Sequence, residues 1–319
     1  MRDGPLLIVD CDPGHDDALA LGLAHAHANV LGITSVSGNA PLEDTTRNAL
    51  GMAALLGSSA DVYAGEARPL VGEPRHAGGV HGTGGLGRVA LPKHDRVVSE
   101  LHAVDYLIEA TRKRSNVWLV PLGPLTNIAR AIERDPMLAS RVAGISLMGG
   151  SAGAGNVTAV AEFNIWADPE AAQIVMASGA HIRMSGLNLT RQWQSDDAIA
   201  ARLKESSSVK AQVAAAILDD IHDRMESLGR GRRAALHDPC AVLAVTHPEL
   251  VGFEERHVTV ETAGVYTRGM TVVDERPTAG IPEANVEVGY QIDSKSAMEL
   301  LMGALKGCKI KPVSLPARS

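Results

Sequence analysis

Four aspartates follow an apolar run near the start of the chain, within eight residues of one another. In LLIVDCDPGHDDALAL, the run Leu6–Val9 is followed by Asp10, Asp12, Asp16 and Asp17. Like charges this close repel one another, and burying an unpaired carboxylate is costly. A hard divalent cation held by oxygen ligands would remove the repulsion. The spacing therefore predicts a cation site at this point of the chain.

A purely structural interpretation accounts for only part of this cluster. Pro13-Gly14 forces a turn, and Asp16-Asp17 then open a helix whose N-terminus favours negative charge. One or two aspartates would fit that interpretation, but four exceed what a helix start needs. Zinc is disfavoured because His15 is the one histidine or cysteine at ligand spacing.

Histidine and Asp-Pro pairs form a second group of candidates. Asp-Pro occurs at Asp12, Asp135, Asp168 and Asp238. An aspartate N-cap with proline at the first helical position explains such pairs, and we expect nothing more of Asp135 and Asp168. Asp238 is either a cap or a functional carboxylate. His237 beside it is either a general acid or a surface histidine.

Polar residues after other apolar runs form a third group. Asn39 ends SVSGN, and Thr126 lies in GPLTNIA at a strand-to-helix turn. Glu162 and Asn164, two apart in VAEFNIWADPEAA, lie on one face if that segment is extended. Together they suit hydroxyl recognition, although a polar loop is an equal alternative.

A glycine-rich stretch, GVHGTGGLG, contains the spacing GxGxxG at Gly82, Gly84 and Gly87. No strand precedes it, and Pro92 prevents a long helix after it, so it fails as a dinucleotide site. We interpret it as a mobile loop that carries His81. A P-loop and an HExxH motif do not occur in the sequence.

Short apolar runs alternate with amphipathic stretches over the first two thirds of the chain. Strands are indicated by PLLIVD, VLGITSVSGN, NVWLVPLG, AGISLMGG and HIRMSG. Helices are indicated by DDALALGLAHAHA, EDTTRNALGMAALLG (ending at Gly57), PLTNIARAIERD and DPEAAQIVMASG. This alternation predicts an α/β fold with a mostly parallel, Rossmann-like central sheet and flanking helices. Because such sheets bind ligands at the carboxyl ends of their strands, we expect the site there.

The second half of the chain is less regular. Residues 195–235 are expected to be helical and polar, with HDRMESLGRGRRAA at 222–235 as a mobile loop. Within 257–292, HVTVET, MTVVDE and NVEVGYQID indicate strands. We find no internal repeat and no linker, so we predict a single domain over 1–319. The tail from about 307 to 319 is expected to lie at the surface or to be partly disordered.

The composition is that of an ordinary soluble protein of 319 residues, 45% hydrophobic and 21% charged. A net charge of -7 argues against a nucleic-acid partner. Cys11, Cys240 and Cys308 form no CxxC pair, so neither a disulfide framework nor a zinc ribbon is indicated. No apolar run reaches the roughly 18 residues of a membrane span, and the N-terminal run is too short for a signal peptide. We expect a cytoplasmic protein without a membrane partner.

Taken together, the motifs resemble those of the inosine–uridine preferring nucleoside hydrolases. DCDPGHDD, SVSGN, VHG, GPLTNIA, LMGG, GNVTAVAEFN, DPEAA and HDPCAV occur in this order between about residues 6 and 245, and the first is highly specific to the family. The resemblance implies hydrolysis of the N-glycosidic bond of ribonucleosides, which gives ribose and a free purine or pyrimidine base. It also implies a homo-oligomer, a dimer or a tetramer.

The resemblance further implies a calcium site and a catalytic base. Ca²⁺ would be held by Asp12, Asp17, Asp238 and the backbone carbonyl of Thr126. Asp12 would also deprotonate a calcium-bound water, and Asp10 would be a supporting carboxylate. A metal lowers the pKa of its water, so attack at C1′ becomes feasible near neutral pH.

Substrate contacts are implied in the same way. The ribose hydroxyls would be held by Asp16, Asn39, Glu162 and Asn164, with Asn156 at the 5′ end and Met148 beneath the sugar. His237, with His81 as a second candidate, would face the base. His237 would be the general acid for the leaving base, and such proton transfer is typically worth about 10²- to 10⁴-fold in rate.

One departure from the family leaves the base preference open. The family often places aromatic side chains before HDP, but residues 205–236 contain no Phe, Tyr or Trp. Trp166 and Trp193 are the nearest candidates for stacking, and either could instead belong to the core.

Three alternative functions stay open at this point. A ribosyl hydrolase acting on a modified nucleoside or nucleotide is one, and a non-catalytic metal- or ligand-binding member of the fold is another. The DxD after a strand also fits an aspartate-nucleophile phosphatase, although the two further acids after it would repel a phosphate.

Overall fold

The computed structural model describes residues 4–277 and 282–307, and most of its strands follow the predicted apolar runs. The strands are β1 (Leu6–Cys11), β2 (Asn29–Ser35), β3 (Asp61–Ala64), β4 (Val117–Pro121), β5 (Gly144–Met148), β6 (Ile182–Ser185), β7 (Gln194–Asp196), β8 (Arg233–Ala235), β9 (Val251–Arg256), β10 (Val258–Val260), β11 (Thr271–Val273) and β12 (Val286–Ile292). The strands predicted within 257–292 are thereby confirmed. The tail predicted to be disordered, beyond Gly307, lies outside the described residues.

The four helices predicted over the first two thirds of the chain are confirmed, and further helices that carried no prediction lie between and after them. They are α1 (His15–His27), α2 (Leu42–Leu56), α3 (Gly78–His81), α4 (Ala103–Lys113), α5 (Thr126–Arg134), α6 (Leu138–Arg141), α7 (Phe163–Ala167), α8 (Pro169–Met176), α9 (Leu187–Thr190), α10 (Asp197–Lys204), α11 (Val209–Ser227), α12 (Asp238–Thr246) and α13 (Ser294–Lys306). Gly57 caps the C-terminus of α2, as predicted, with a φ of 65° in the left-handed region that glycine favours. In the two described ranges no helix is long and apolar enough to cross a bilayer.

Within the described residues, eight strands form the central sheet in the order β3-β2-β1-β4-β5-β6-β12-β9. Every neighbouring pair is parallel except β12 and β9, which are antiparallel. The mostly parallel α/β fold predicted from the sequence is confirmed. β7 with β8, and β10 with β11, form two small antiparallel pairs outside this sheet.

The middle strands of the central sheet are buried on both faces, which explains why they are nearly continuous apolar runs, whereas the edge strand β9 is partly exposed. Successive residues of β1 point to opposite faces. Leu7 and Val9 therefore join the core formed with α1, α11, α12 and α13, whereas Ile8 joins the core formed with α4, α5 and α8. Helix α1 packs against α12 and α13 and is apolar around most of its circumference, as expected for a buried helix.

The strand order reverses between β1 and β4. From β1 the chain moves outward to β2 and β3, then returns to the other side of β1 for β4, β5 and β6. The segments after β1 and β4 therefore diverge and leave a crevice, the usual ligand position in an open α/β sheet. The predicted acidic cluster follows β1, so the fold places it at this crevice.

Two sequence predictions about local structure are wrong. Helix α11 continues to Ser227, so the first part of the predicted loop at 222–235 is helical; Ile221 and Met225, one turn apart, are both buried and hold it. Asp135 does not cap a helix, because its carboxylate binds Arg112 and Arg141 and α6 begins only at Leu138. Asp168 does cap α8 by accepting the backbone N–H of Ala171.

Candidate active site

A cavity of about 560 Å³ lies at the carboxyl ends of the central strands. It is lined by segments that follow β1, β2, β4, β5 and β6, and this size is typical of small-molecule sites. All residues predicted to contact substrate belong to its lining: Asp16, Asn39, His81, Met148, Asn156, Glu162, Asn164 and His237. Asp238 also lines it, whereas Asp12, Asp17 and Thr126 are buried and do not.

The predicted acidic residues come together beside this cavity. Carboxylate oxygens of Asp16, Asp17 and Asp238 lie within 4.8 Å of one another. Asp12 is tied to the same group, because its backbone N–H donates to Asp17 Oδ1 at 3.2 Å. Asp238 reaches the group as the first residue of α12, with His237 as the N-cap and Pro239 in the first turn, so Asp238 itself is not the cap.

The carboxylate of Asp12 sits in a cradle made by two glycines. A Cβ added at Gly38 would lie 2.0 Å from Asp12 Oδ2, and one added at Gly123 would lie 2.3 Å from Oδ1. Oδ2 accepts the backbone N–H of Asn39 at 2.6 Å. Within the described part of the chain, Oδ1 is buried with no hydrogen-bond partner. A buried anionic oxygen without a donor requires a cation or a proton.

The electrostatics of the cluster fit a cation. Burial raises the pKa of Asp12 and Asp238 well above the ordinary range, and the charges of the neighbouring aspartates raise both further. Burial, with the charge of Asp16, raises the pKa of Asp17 to about 6. A metal ion held by these oxygens would keep the acids ionised, so the residues present fit a metal site of hard, oxygen-donor type.

Asp10 and Thr126 occupy supporting positions. Asp10 is fully buried, and its Oδ1 accepts from Thr34 at 2.6 Å and from Asn127 at 2.7 Å. Thr126 begins α5 directly after β4, and its hydroxyl donates to Asp168 Oδ2 at 2.7 Å. The Thr126 side chain is thereby used by Asp168 and not by the acidic cluster.

Glu162 and Asn164 line the cavity, but not as two residues of an extended segment. Glu162 is the N-cap of α7, and Asn164 lies within that helix. Glu162 Oε2 accepts backbone N–H groups of Gly150, Asn164 and Ile165. Among the described residues, all hydrogen bonds found for the Glu162 side chain end on Oε2, so Oε1 is the oxygen available to a ligand. Asn164 donates to the carbonyls of Leu122 and Met148.

His237 and His81, two histidines of the cavity lining, each have a hydrogen-bond contact on Nδ1. His237 Nδ1 and Thr190 Oγ1 are 2.7 Å apart, which leaves His237 Nε2 for a ligand. His81 Nδ1 accepts the backbone N–H of His15 at 3.3 Å, so neutral His81 carries its proton on Nε2. Burial lowers the pKa of His237, and it lowers the pKa of His81 to about 3. Both rings are therefore neutral near pH 7.

His15 links this group to α11, a contact that sequence reasoning missed. Its Nε2 lies 3.0 Å from Asp220 Oδ2, and Asp220 is also paired with Arg88 and Arg224. These ion pairs hold the pKa of Asp220 well below its usual range in spite of burial. His81 itself lies at the end of the short helix α3, so the predicted glycine-rich loop is partly helical.

The two tryptophans considered for base stacking lie in different surroundings. Trp193 is fully buried and belongs to the core. Trp166 lines the cavity, with the guanidinium carbon of Arg75 4.0 Å from its ring centroid. Sequence reasoning also missed Arg191, Arg230 and Arg233, which line the cavity and carried no motif to mark them.

Comparison with known proteins gives a consistent result. The family model described as "Inosine-uridine preferring nucleoside hydrolase" matches residues 7–299. The chain is 41% identical over 305 residues to a pyrimidine-specific ribonucleoside hydrolase RihA of Shewanella sp. (strain MR-7), covering 94% of this chain and 95% of the relative. It is 39% identical over 307 residues to an inosine-uridine preferring nucleoside hydrolase of Crithidia fasciculata, covering 94% of this chain and 97% of the relative.

A solved structure agrees with these relatives. The purine-preferring ribonucleoside hydrolase from Gardnerella vaginalis superposes with a TM-score of 0.89 at 31% identity, covering 95% of this chain and 98% of that one. Fold and cavity thus define a hydrolase that acts on N-glycosyl compounds. The chain belongs to the inosine–uridine preferring nucleoside hydrolase family, and its activity is ribonucleoside hydrolysis. The phosphatase alternative is not supported.

Proposed function

We propose that this hydrolase is calcium-dependent, with Asp12, Asp17, Asp238 and the Thr126 backbone carbonyl as the ligands of the ion. The observation that carries the proposal is the buried, unpartnered Oδ1 of Asp12 beside three further carboxylates. All of these donors are oxygens, which is the ligand set that Ca²⁺ prefers, and no thiolate or imidazole shares it.

Asp12 is the proposed catalytic base. A bound Ca²⁺ would lower the pKa of a neighbouring water and so make attack at C1′ feasible near neutral pH. Asp12 accepts the water proton on Oδ1, since Oδ2 is already occupied by the backbone N–H of Asn39. The glycines on either side keep that carboxylate in one position, which is the kind of preorganisation that a positioned base requires.

Ribose is held by the polar residues of the cavity. Asp16 and Glu162 Oε1 accept hydrogen bonds from the hydroxyl groups, while Asn39 and Asn164 add amide groups. Asn156 serves the 5′ end, and Met148 packs beneath the sugar. Cleavage passes through an oxocarbenium-like state, so the carboxylates also stabilise the positive charge that develops on the ring.

His237 is the proposed general acid for the leaving base, with His81 beside it. Because its Nδ1 contacts the Thr190 hydroxyl, His237 presents Nε2 to the substrate. A hydroxyl that donates to Nδ1 selects the tautomer with the proton on Nε2. As general acid, His237 acts in its protonated, imidazolium form: Nε2 gives its proton to the leaving base as the N-glycosidic bond breaks, and the neutral imidazole remains. The charge of Asp16 opposes the lowering of the His237 pKa by burial and so favours this form.

Uridine is the substrate we propose first. It is a pyrimidine ribonucleoside, the class in the name of the Shewanella relative, and it occurs by name in that of the Crithidia relative. The Gardnerella enzyme is named as purine-preferring, so relatives of this fold differ in base. A homo-oligomer, a cytoplasmic location and a single domain over residues 1–319 stay predictions from the sequence.

The decisive experiment is release of ribose from uridine, cytidine, inosine, adenosine and guanosine, with and without a calcium chelator. The proposal expects ribose from uridine, loss of the reaction with chelator and recovery on addition of calcium. Recovery with zinc but not with calcium would overturn the assignment of the ion. Turnover that is unaffected by chelator would overturn metal dependence altogether.

A further inference from the structure

Two arginines of the cavity have no partner within the protein. Arg230 and Arg233 line the cavity and are exposed. Among residues 4–277 and 282–307, neither guanidinium has a hydrogen-bond or ion-pair partner. The third arginine of the lining, Arg191, instead donates to the carbonyls of Ala154 and Gly155. Two cationic groups of the lining are therefore free to meet a ligand.

Arg232, which lies between them in sequence, has a structural role instead. Arg232 donates to Asp197 at 2.9 Å, to Asp223 at 2.5 Å and to Glu226 at 3.2 Å. These contacts attach the segment to α10 and α11. In the run Arg230-Gly231-Arg232-Arg233, the central guanidinium is thus used for structure and the two others are not.

The backbone of this segment is held in place as well. Gly229 and Gly231 have φ values of 71° and 74°, in the left-handed region that favours glycine. The Arg230 N–H donates to the carbonyl of Met225, and Arg233 begins β8, which pairs with β7. The two free arginines are consequently presented by a fixed turn, which lowers the entropic cost of using them for binding.

Chain continuity places these arginines on the wall of the cavity that carries the proposed general acid. β8 leads directly to Leu236 and His237, and Met225, Ala234 and Leu236 supply apolar contacts on this wall. The carboxylates of the lining do not pair with Arg230 or Arg233. Two unpaired guanidinium groups beside an apolar surface are suited to a planar ligand that carries negative charge.

We propose that Arg230 and Arg233 bind an anionic group of the ribonucleoside substrate. This inference rests on the proposed function and specifies its substrate class. A guanidinium recognises a carboxylate or a phosphate through paired hydrogen bonds, so the charge is carried either by the base or by the 5′ position. Because Arg233 begins the strand that leads to His237, we place the charge on the base first.

The test compares uridine, orotidine (a 6-carboxylate on the base) and uridine 5′-monophosphate as substrates, with release of the free base as the readout. For wild type, we expect the highest kcat/KM with orotidine. Arg230→Gln and Arg233→Gln should each lower kcat/KM on that substrate at least about tenfold and change uridine less than about twofold. Added salt should slow orotidine turnover and leave uridine turnover unchanged.

Matched variants separate recognition of charge from general damage. Arg230→Lys keeps the charge and should retain part of the preference, although it loses the paired geometry. Arg68→Gln removes an exposed arginine outside the cavity, paired with Glu73, and should change none of the three reactions.

Each outcome has a distinct meaning. A preference for uridine 5′-monophosphate that depends on both arginines would keep the anionic class and move the charge to the 5′ end. Equal kcat/KM for all three substrates, or equal losses on uridine and orotidine in the variants, would overturn the inference. Failure to cleave uridine, inosine or any anionic substrate would instead count against the proposed function itself.

Discussion

The backbone N–H of Asn39 donates to Asp12 Oδ2 at 2.6 Å, and this contact divides the two oxygens of one carboxylate. Oδ2 is held, whereas Oδ1 is buried with no partner among the described residues. Asn39 also donates its side-chain amide to Asp17 Oδ2 at 3.2 Å. A residue expected to hold ribose therefore first holds the acids, because the cluster needs donors before it can be buried.

Asp12→Asn should lower kcat on uridine at least about 100-fold, since the general base is removed. Asparagine has nearly the same shape, fits between Gly38 and Gly123, and keeps an oxygen for the Asn39 N–H. The melting temperature without calcium should consequently be equal to that of wild type or higher, because one repelling charge is lost. Ribose release and thermal unfolding measure the two effects, and a near-normal kcat would remove Asp12 as the base.

Gly123→Ala should impair catalysis through Asp12. The added Cβ would lie 2.3 Å from Asp12 Oδ1, so the carboxylate must move. We expect a drop in kcat of about tenfold or more, because small displacements of a catalytic group are costly. Gly78→Ala is the control, since a Cβ there meets nothing within 4 Å. Equal kcat values for the two variants would argue against the cradle.

His237→Ala should slow uridine far more than p-nitrophenyl riboside, whose leaving group needs no protonation. Thr190→Val removes the hydroxyl 2.7 Å from His237 Nδ1 and should produce a smaller loss of the same pattern. Steady-state kcat on both substrates provides the comparison. Losses of the same size on both would show that His237 is not the acid.

2′-Deoxyuridine should be a poor substrate because Asp16, half-buried at the cavity, is proposed to accept a hydrogen bond from the 2′-hydroxyl of the ribose. A hydrogen bond to a charged group is worth about 1.5–3 kcal/mol, so kcat/KM should fall about 10- to 100-fold relative to uridine. In Asp16→Ala the gap between the two substrates should close. A gap that persists in this variant would assign the 2′-hydroxyl to another residue.

Calcium should stabilise the protein more at about pH 8 than at about pH 5.5. Burial raises the pKa of Asp17 to about 6 and that of Asp10 to about 7, from an ordinary value of 3.8. Above about pH 4 the folded metal-free protein thus binds more protons than the unfolded chain, and its free energy of unfolding falls as pH rises through these values. Calcium and protons compete for the cluster, so calcium stabilises the protein most at a pH where the carboxylates have lost their protons.

Thermal unfolding with calcium and with chelator, measured at both pH values, tests this dependence. Asp12→Asn should show a smaller calcium response at the higher pH. If calcium raised the melting temperature equally at both pH values, these carboxylates would not be the groups that bind it.

Helix and strand positions near the active site followed largely from local pattern. The period of apolar residues and the turn at Gly57 are short-range features, and both predicted elements formed. Local pattern was less reliable where tertiary packing determined the extent of an element. Helix α11 runs through residues whose charge suggested a loop, because its buried face continues to Met225. The position of Glu162 was likewise decided by capping, since three backbone N–H groups needed an acceptor.

The sequence by itself determined the chemistry available: four aspartates after a strand, HDP far along the chain, and an ordered set of motifs that resembles one family. Only the tertiary structure decided which groups meet. The order of strands brings Asp238 to Asp17 and packs two glycines against Asp12, because sheet order is a non-local property that spacing along the chain does not encode. The tertiary structure likewise pairs Arg232 with three carboxylates and leaves Arg230 and Arg233 in the cavity lining. Identical side chains acquire different partners only when the helices around them are in place.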